Sequence, residues 1–438
     1  MLCLALVGCL NPHALLTVDD GGDAGFDAGL DGGIDAGADA GVDAGSDAGI
    51  DAGLDAGIDA GSDAGVDPGI DAGPDGGMDA GEDAGFCSAS SVFATATTYQ
   101  VGINPFGIVA ADFNGDGKPD LASIEDWQST VSVLLGTGGG AFAAAVAYNA
   151  GGSGVSLTPA DVNHDGQVDL IIANQIENTF SVLLGDGGGG FSAPFSFPAG
   201  LNPNTVQVAD FDGDGTSDVV VSNYSSNTLS VMLGLADGGF AAPVSYDIGG
   251  GAVFVVVLDV DGDGVLDLLG ASQDNDALTV LFGNGDGSFK TPQPFGAAAG
   301  PSPSSFAVGD FTGNGSPGAV VTDWSDDLAV LVGPVQMGQQ PALISLSNNP
   351  NSVAVADFNG DGILDLAVAE ADGFSTSPPG TVDLLLGNGD GTFQTAVQFS
   401  VGAGPDDLIA ADLNGDGKPD LAVSCYGGAI SVLLNSCP

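Results

Sequence analysis

Six copies of one nine-residue loop carry the residues of this 438-residue chain best suited to chemistry. The first runs Asp112-Phe113-Asn114-Gly115-Asp116-Gly117-Lys118-Pro119-Asp120, and the others occupy 161–169, 210–218, 259–267, 357–365 and 412–420. Each has Asp at position 1, Asn or Asp at 3, Asp at 5, Gly at 6 and Asp at 9. Side-chain oxygens at 1, 3, 5 and 9 with a backbone carbonyl at 7 suit a hard cation such as Ca²⁺, which takes six to eight oxygen ligands in flexible geometry. Glycine at position 6 permits the sharp turn. An EF-hand would need Glu at position 12, where this chain has Ser123, so these are loops of another kind. A single such loop could fold as an Asx-turn without metal. Six at fixed spacing select the metal reading. A seventh copy, 310–318, has Thr312, Asn314 and Gly318 in place of three donors, leaves Asp310 as its one carboxylate, and is expected to hold no ion.

The elements that must position these loops repeat with them. Loop starts are about fifty residues apart, from Asp112 to Asp412. In the first unit an apolar stretch, 107–111, leads into the loop, and Leu121-Ala-Ser-Ile124 follows it. After a polar turn comes Thr130-Val-Ser-Val-Leu-Leu135, then a Gly-rich hairpin ending at Phe142, then Ala145-Val-Ala-Tyr148. Short β-branched and Leu-rich runs bounded by Gly, Asn and Asp read as strands. Four strands per fifty-residue unit, seven times over, predict an all-β fold: a seven-bladed β-propeller of four-stranded blades. No helical periodicity competes with this reading.

The repeated loops and hairpins resemble the FG-GAP/VCBS repeat family, whose best-known members are integrin α-subunit propellers, over residues 90 to 438. The resemblance implies that each loop joins the innermost strand of a blade to the second. It also implies calcium ligands, residue by residue. In the first loop these are Asp112, Asn114, Asp116, the carbonyl of Lys118, and Asp120; in the second, Asp161, Asn163, Asp165, Gln167 and Asp169. The third supplies Asp210, Asp212, Asp214, Thr216 and Asp218, and the fourth Asp259, Asp261, Asp263, Val265 and Asp267. The sixth supplies Asp357, Asn359, Asp361, Ile363 and Asp365, and the seventh Asp412, Asn414, Asp416, Lys418 and Asp420. About six structural Ca²⁺ ions of weak affinity, roughly 10⁻⁴–10⁻³ M, are expected, as in other extracellular modules.

Register predicts how the ring closes. The last unit stops after its third strand, and the first is preceded by an unpaired fourth-type run at 93–101, so the N-terminal run should complete the seventh blade and leave no free sheet edge. Aligning Phe93 with Phe142 and Leu434 with Leu135 places Cys87 and Cys437 in one hairpin, which predicts a Cys87–Cys437 disulfide and an oxidising compartment. The rival Cys425–Cys437 pairing would have to span a blade; otherwise Cys425 is a free thiol.

Charge bounds the partners. The chain has 58 acidic residues against three lysines and no arginine. Such a field repels nucleic acid and anionic headgroups, which excludes both as partners. From Asp19 to Asp83 an Asp recurs every fourth residue in an Asp-Ala-Gly-X repeat that no core could order, so 9–86 reads as a disordered acidic linker. As a coil it would span roughly 50 Å. Leu6-Val7-Gly8-Cys9 resembles a bacterial lipobox, although the run lacks basic residues. The expected layout is a signal peptide at 1–8, acylated Cys9 as the sole membrane contact, the linker, and a propeller at 87–438. The expected location is the outer membrane or the exterior.

The rim opposite the Asp loops carries the turns between second and third strands, and there Trp127, Tyr224, Trp324, Phe374 and Tyr426 sit among amides and carboxylates. Aromatic residues in such turns suit a glycan or protein ligand. Two histidines, no arginine and no nucleophile–base pattern argue against an enzyme. The expected function is calcium-stabilised surface binding or adhesion by a monomer. The alternatives are a polysaccharide lyase or hydrolase and a purely structural envelope component.

Overall fold

A computed structural model describes residues 87–125, 128–236, 238–295, 302–323, 327–333, 339–371 and 380–438. The expected signal peptide, Cys9 and acidic linker therefore lie outside the described residues. The described chain forms seven four-stranded antiparallel sheets, with one three-residue 3₁₀ turn, Ala89–Ser91, as its helical element. Blade 1 comprises Pro105–Ala111, Asp120–Glu125, Thr130–Leu134 and Val146–Asn149, in spatial order. Blades 2 to 6 repeat this meander over 154–198, 203–247, 252–294, 303–345 and 349–401.

Burial explains the composition of each strand. The second strands are covered on both faces by neighbouring blades, and those whose burial is described throughout are buried at every residue. They are accordingly rich in Leu, Val, Ile and Ala rather than alternating. The outermost strand is short and mostly exposed in blades 1, 2, 3 and 5. Short outer strands are a common way to blunt an unpaired sheet edge. The first strands of successive blades lie side by side around the whole ring, the seventh against the first. Each first strand carries a bulge near its start, between Pro105 and Ile108 in blade 1.

Blade 7 is assembled from both ends of the propeller. Pro405–Ala411, Asp420–Cys425 and Ala429–Leu433 supply three strands, and Thr97–Gln100 supplies the fourth, paired with Ala429–Val432. Phe93 bridges Asn435 beyond it. Cys87 and Cys437 are disulfide-bonded, with Cα atoms 5.6 Å apart across a separation of 350 residues, while Cys425 is a buried free thiol. Burial pushes that thiol up to about 11, so it is protonated and inert.

Because the disulfide ties the two ends of the ring, its removal should cost up to roughly 5 kcal/mol in the chain-entropy picture. Cys87→Ser with Cys437→Ser is expected to lower the denaturation midpoint, whereas Cys425→Ser, at a thiol outside any disulfide, should shift it far less.

Candidate metal centre

Each Asp loop turns by two left-handed residues, positions 4 and 6. In the first loop these are Gly115 and Gly117, with φ of 69° and 79°. In the second, His164 takes position 4 with φ of 59°, so the described region's one histidine is a turn residue. Within the turn the side-chain oxygens cap successive backbone amides. Asp112 accepts from the amides of Asp116 and Gly117 at 3.1 and 2.8 Å, Asn114 from Asp116 at 2.9 Å, and Asp116 from Lys118 at 3.0 Å.

Position 9 differs from the rest. These six aspartates begin the second strands and are at most 1% exposed. In the first loop, Asp120 accepts from the Phe113 amide at 2.9 Å through one oxygen and from the Gly136 amide at 2.6 Å through the other. The same two bonds recur at Asp169, Asp218, Asp267, Asp365 and Asp420. One carboxylate thus fastens the loop to the hairpin of its own blade. The sequence marked this residue as a ligand but gave no sign of the second duty. The first hairpin glycine is required by close approach: a Cβ on Gly136 would lie 2.2 Å from the Pro119 carbonyl.

In loops three and four the carboxylate oxygens of positions 1, 3 and 9 converge. Those of Asp210, Asp212 and Asp218 all lie within 4.8 Å of one another, as do those of Asp259, Asp261 and Asp267. The other four intact loops present an amide oxygen at position 3, from Asn114, Asn163, Asn359 and Asn414. Position 5 is turned toward position 7, and in the first loop Asp116 lies 2.8 Å from the Lys118 ammonium. Burial pushes the position-9 carboxyls up, Asp169 and Asp420 to about 6 and Asp365 to about 7. Like charges this close repel one another, and a divalent cation would offset both that repulsion and the burial of position 9. The oxygen-only donor set fits a hard ion such as Ca²⁺ or Mg²⁺.

The loops also join blades to one another. The hairpin phenylalanine of one blade meets the position-2 ring of the preceding loop edge to face: Phe191 on Phe113, Phe289 on Phe211, Phe393 on Phe311 and Phe93 on Phe358, with centroids 5.4–5.8 Å apart. Hairpin amides of Gly287 and Gly391 donate to the carbonyls of Phe211 and Phe311 at 3.1 and 3.2 Å. At the closing blade, Asn435 Nδ2 donates to the Phe358 carbonyl at 2.8 Å, and the Cys87 amide to that of Asn359 at 3.5 Å. The disulfide hairpin therefore sits directly on loop six.

The fifth loop keeps its left-handed glycines, Gly313 and Gly315, and Asp310 still caps Gly315. It loses the latch. Gly318 stands where Asp should be, and a Cβ there would lie 2.4 Å from the Leu331 carbonyl. Asn314 instead donates to the Gly333 carbonyl of the hairpin at 3.0 Å.

On the opposite rim, Tyr224 is partly buried against the next blade, with its hydroxyl 3.3 Å from Asp274 Oδ1. The Tyr426 amide donates to the Gly404 carbonyl at 2.7 Å. Trp127, Trp324 and Phe374 lie outside the described residues.

A closed ring of seven four-stranded blades with oxygen-lined loops at one rim defines a repeat propeller of the FG-GAP class. The chain belongs to the FG-GAP-like repeat family, whose sequence model matches residues 112–172, 161–221, 210–270, 259–321 and 370–423. No curated protein sequence matches the chain. Among solved structures, it is similar to BBS1N in complex with ARL6DN in a mercury-soaked crystal, at 14% identity and a TM-score of 0.55, over 79% of this chain and 97% of that one. A lead-soaked crystal of the same complex gives 15% identity and 0.54, over 80% and 97%. The WD40 β-propeller domain of Doa1 gives 11% and 0.52, over 78% and 97%. At these identities the likeness is one of fold.

Removal of Asp365 should strand the amides of Phe358 and Gly387. Asp365→Ala is expected to cost at least about 2 kcal/mol, well above Asp361→Ala at half-buried position 5, in a denaturant titration. Calcium favours the ionised carboxyls that burial disfavours. Its addition at pH 6 should therefore release protons, and its affinity should tighten from pH 5 to pH 8, both measurable by calorimetry in two buffers.

Proposed function

We propose that the chain is an exported, calcium-stabilised binding propeller that presents the rim opposite its Asp loops to a protein or glycan, and that it binds without catalysing. On this reading the six intact loops take Ca²⁺ and the fifth takes none, and the acidic segment before Cys87 is a stalk from acylated Cys9.

The observation that carries the reading is the construction of the rim between blades 2 and 3. Ile176 and Leu201 are each 56% exposed there. Their backbones are tied to neighbours: the Leu201 amide donates to Ser226 Oγ at 2.8 Å, the Asn202 amide to Asn178 Oδ1 at 2.7 Å, and Asn178 Nδ2 to the Ile176 carbonyl at 3.4 Å. Apolar residues on a backbone held in place at a solvent face leave less main-chain freedom to lose on binding, which favours affinity. The Tyr224–Asp274 pair continues this rim toward blade 4. The structural neighbour BBS1N, crystallised in complex with ARL6DN, supports a protein as the ligand class. Integrin α propellers, which the repeats resemble, use the equivalent rim for ligands.

A glycan and protein array probed with the whole chain, with calcium and with excess chelator, tests this. Retention that depends on calcium, and that weakens at least tenfold in Ile176→Ser with Leu201→Ser while the melting temperature holds, is the expected result. Undiminished binding by that variant would remove the rim assignment. Turnover of a polysaccharide by the purified protein would overturn binding without catalysis.

A further inference from the structure

A row of hydrogen-bonding side chains crosses the blades near the rim opposite the loops, from the end of the second strand through the third to the fourth. In blade 2 it is Asn174, Ser181 and Ser196: Asn174 Nδ2 donates to Ser181 Oγ at 2.7 Å, and the two hydroxyls are 3.2 Å apart. In blade 3 it is Asn223, Ser230 and Ser245, with both contacts at 3.0 Å. Strand register places Glu370, Asp383 and Gln398 at the same three positions of blade 6. There a donor facing a hydroxyl has become two carboxyl groups set at facing positions, each 2% exposed.

Two carboxylates hold no proton to share. The groups around Glu370 do not neutralise it: the Ser347 amide donates to its Oε1 at 3.2 Å, and Asn348 Nδ2 and Gln398 Nε2 to its Oε2 at 3.2 and 3.4 Å. Asp383 Oδ1 is buried without a partner. Facing the pair are Ser347 and Asn348 from the connection between blades 5 and 6 and Gln398 from the outer strand; Asp372, next along the chain, lies outside the described residues.

We propose that Glu370 and Asp383 share a single proton, carried by Glu370 and donated to Asp383, and that this proton is a pH-sensitive latch on the connection between blades 5 and 6. Glu370 holds that connection through Ser347 and Asn348, as Glu125 and Asn223 hold Gly102 and Gly200 in their own blades. Burial first, and the Asp383 charge second, push Glu370 up to about 7. The folded chain thus keeps a proton that an unfolded glutamate releases near its ordinary value. The stabilisation is complete below that ordinary value and is lost as pH rises through about 7, where two buried charges would face each other.

The chain has four glutamates, Glu82, Glu125, Glu177 and Glu370, so carboxyl-labelled glutamate gives a tractable carbon-13 spectrum. With calcium saturating, so that the Asp loops do not titrate, the Glu370 signal of the unmodified full chain should titrate near neutrality and move toward the ordinary range in Asp383→Asn. Ionisation of Glu370 throughout pH 5 to 8 in the unmodified chain would overturn the proposal, and needs no variant to fold. The melting temperature should fall from pH 5.5 to 8.5, and Glu370→Gln should remove most of that fall. An equal fall in the variant would assign it to other acids, such as Asp407, which burial pushes up to about 8.

Discussion

The propeller depends on a buried carboxylate at the start of the second strand in six of its seven blades. Asp120 and its five counterparts bind one amide of their own loop and one of their own hairpin, and no water competes for either bond. A charge-assisted bond to a backbone amide is stronger than a neutral one, but it places an acid where burial disfavours its charge. The neighbouring acids at positions 1 and 3 raise that cost further. A cation held among the loop oxygens would offset that cost, which makes the oxygen-rich loop and the latch one device. Because the next blade's hairpin ring rests on position 2 of the same loop, whatever steadies the loop also steadies the seam between blades.

Blade 5 shows what happens when this device is dismantled. Without the position-9 carboxylate no side chain fits between Gly318 and the Leu331 carbonyl, and Asn314 holds the hairpin through the Gly333 carbonyl. A neutral amide has replaced an ionised acid, so the need for a counter-charge disappears with the ligands. The left-handed glycines remain because the chain must still turn there. The loop shape and the loop charge are separable, and this repeat has kept only the first.

Much of this was legible in the residues because the repeat supplies seven readings of each position. The Asp-x-Asn/Asp-x-Asp-Gly spacing marked the loops, and the count of units marked the blades. The offset between the two chain ends marked both the shared blade and the cysteine pair. What was not legible involves contacts between units. Nothing in the spacing of Asp120 from Gly136 announces a bond between them, since the two are brought together by a hairpin whose geometry the sequence does not print. The ring of Phe191 on Phe113 likewise belongs to two different repeats. Tyr224 was marked as a rim aromatic, but its contact with Asp274 of the next blade, fifty residues away, could not be read from its own repeat. The Glu370–Asp383 pair escaped notice because each residue alone reads as an ordinary strand acid; only strand register sets them face to face.

The strand at Thr97–Gln100 has a consequence for how the molecule is made. It leaves the ribosome near the start of the propeller but pairs with Ala429–Val432, which is synthesised much later. The first outer strand must wait, uncommitted, for more than three hundred residues of chain, and until its partner strand arrives the growing toroid has an open seam. Contacts of such long sequence separation form late and slowly. Closure is therefore deferred until the seventh blade has been made, and the ring cannot lock on itself before then.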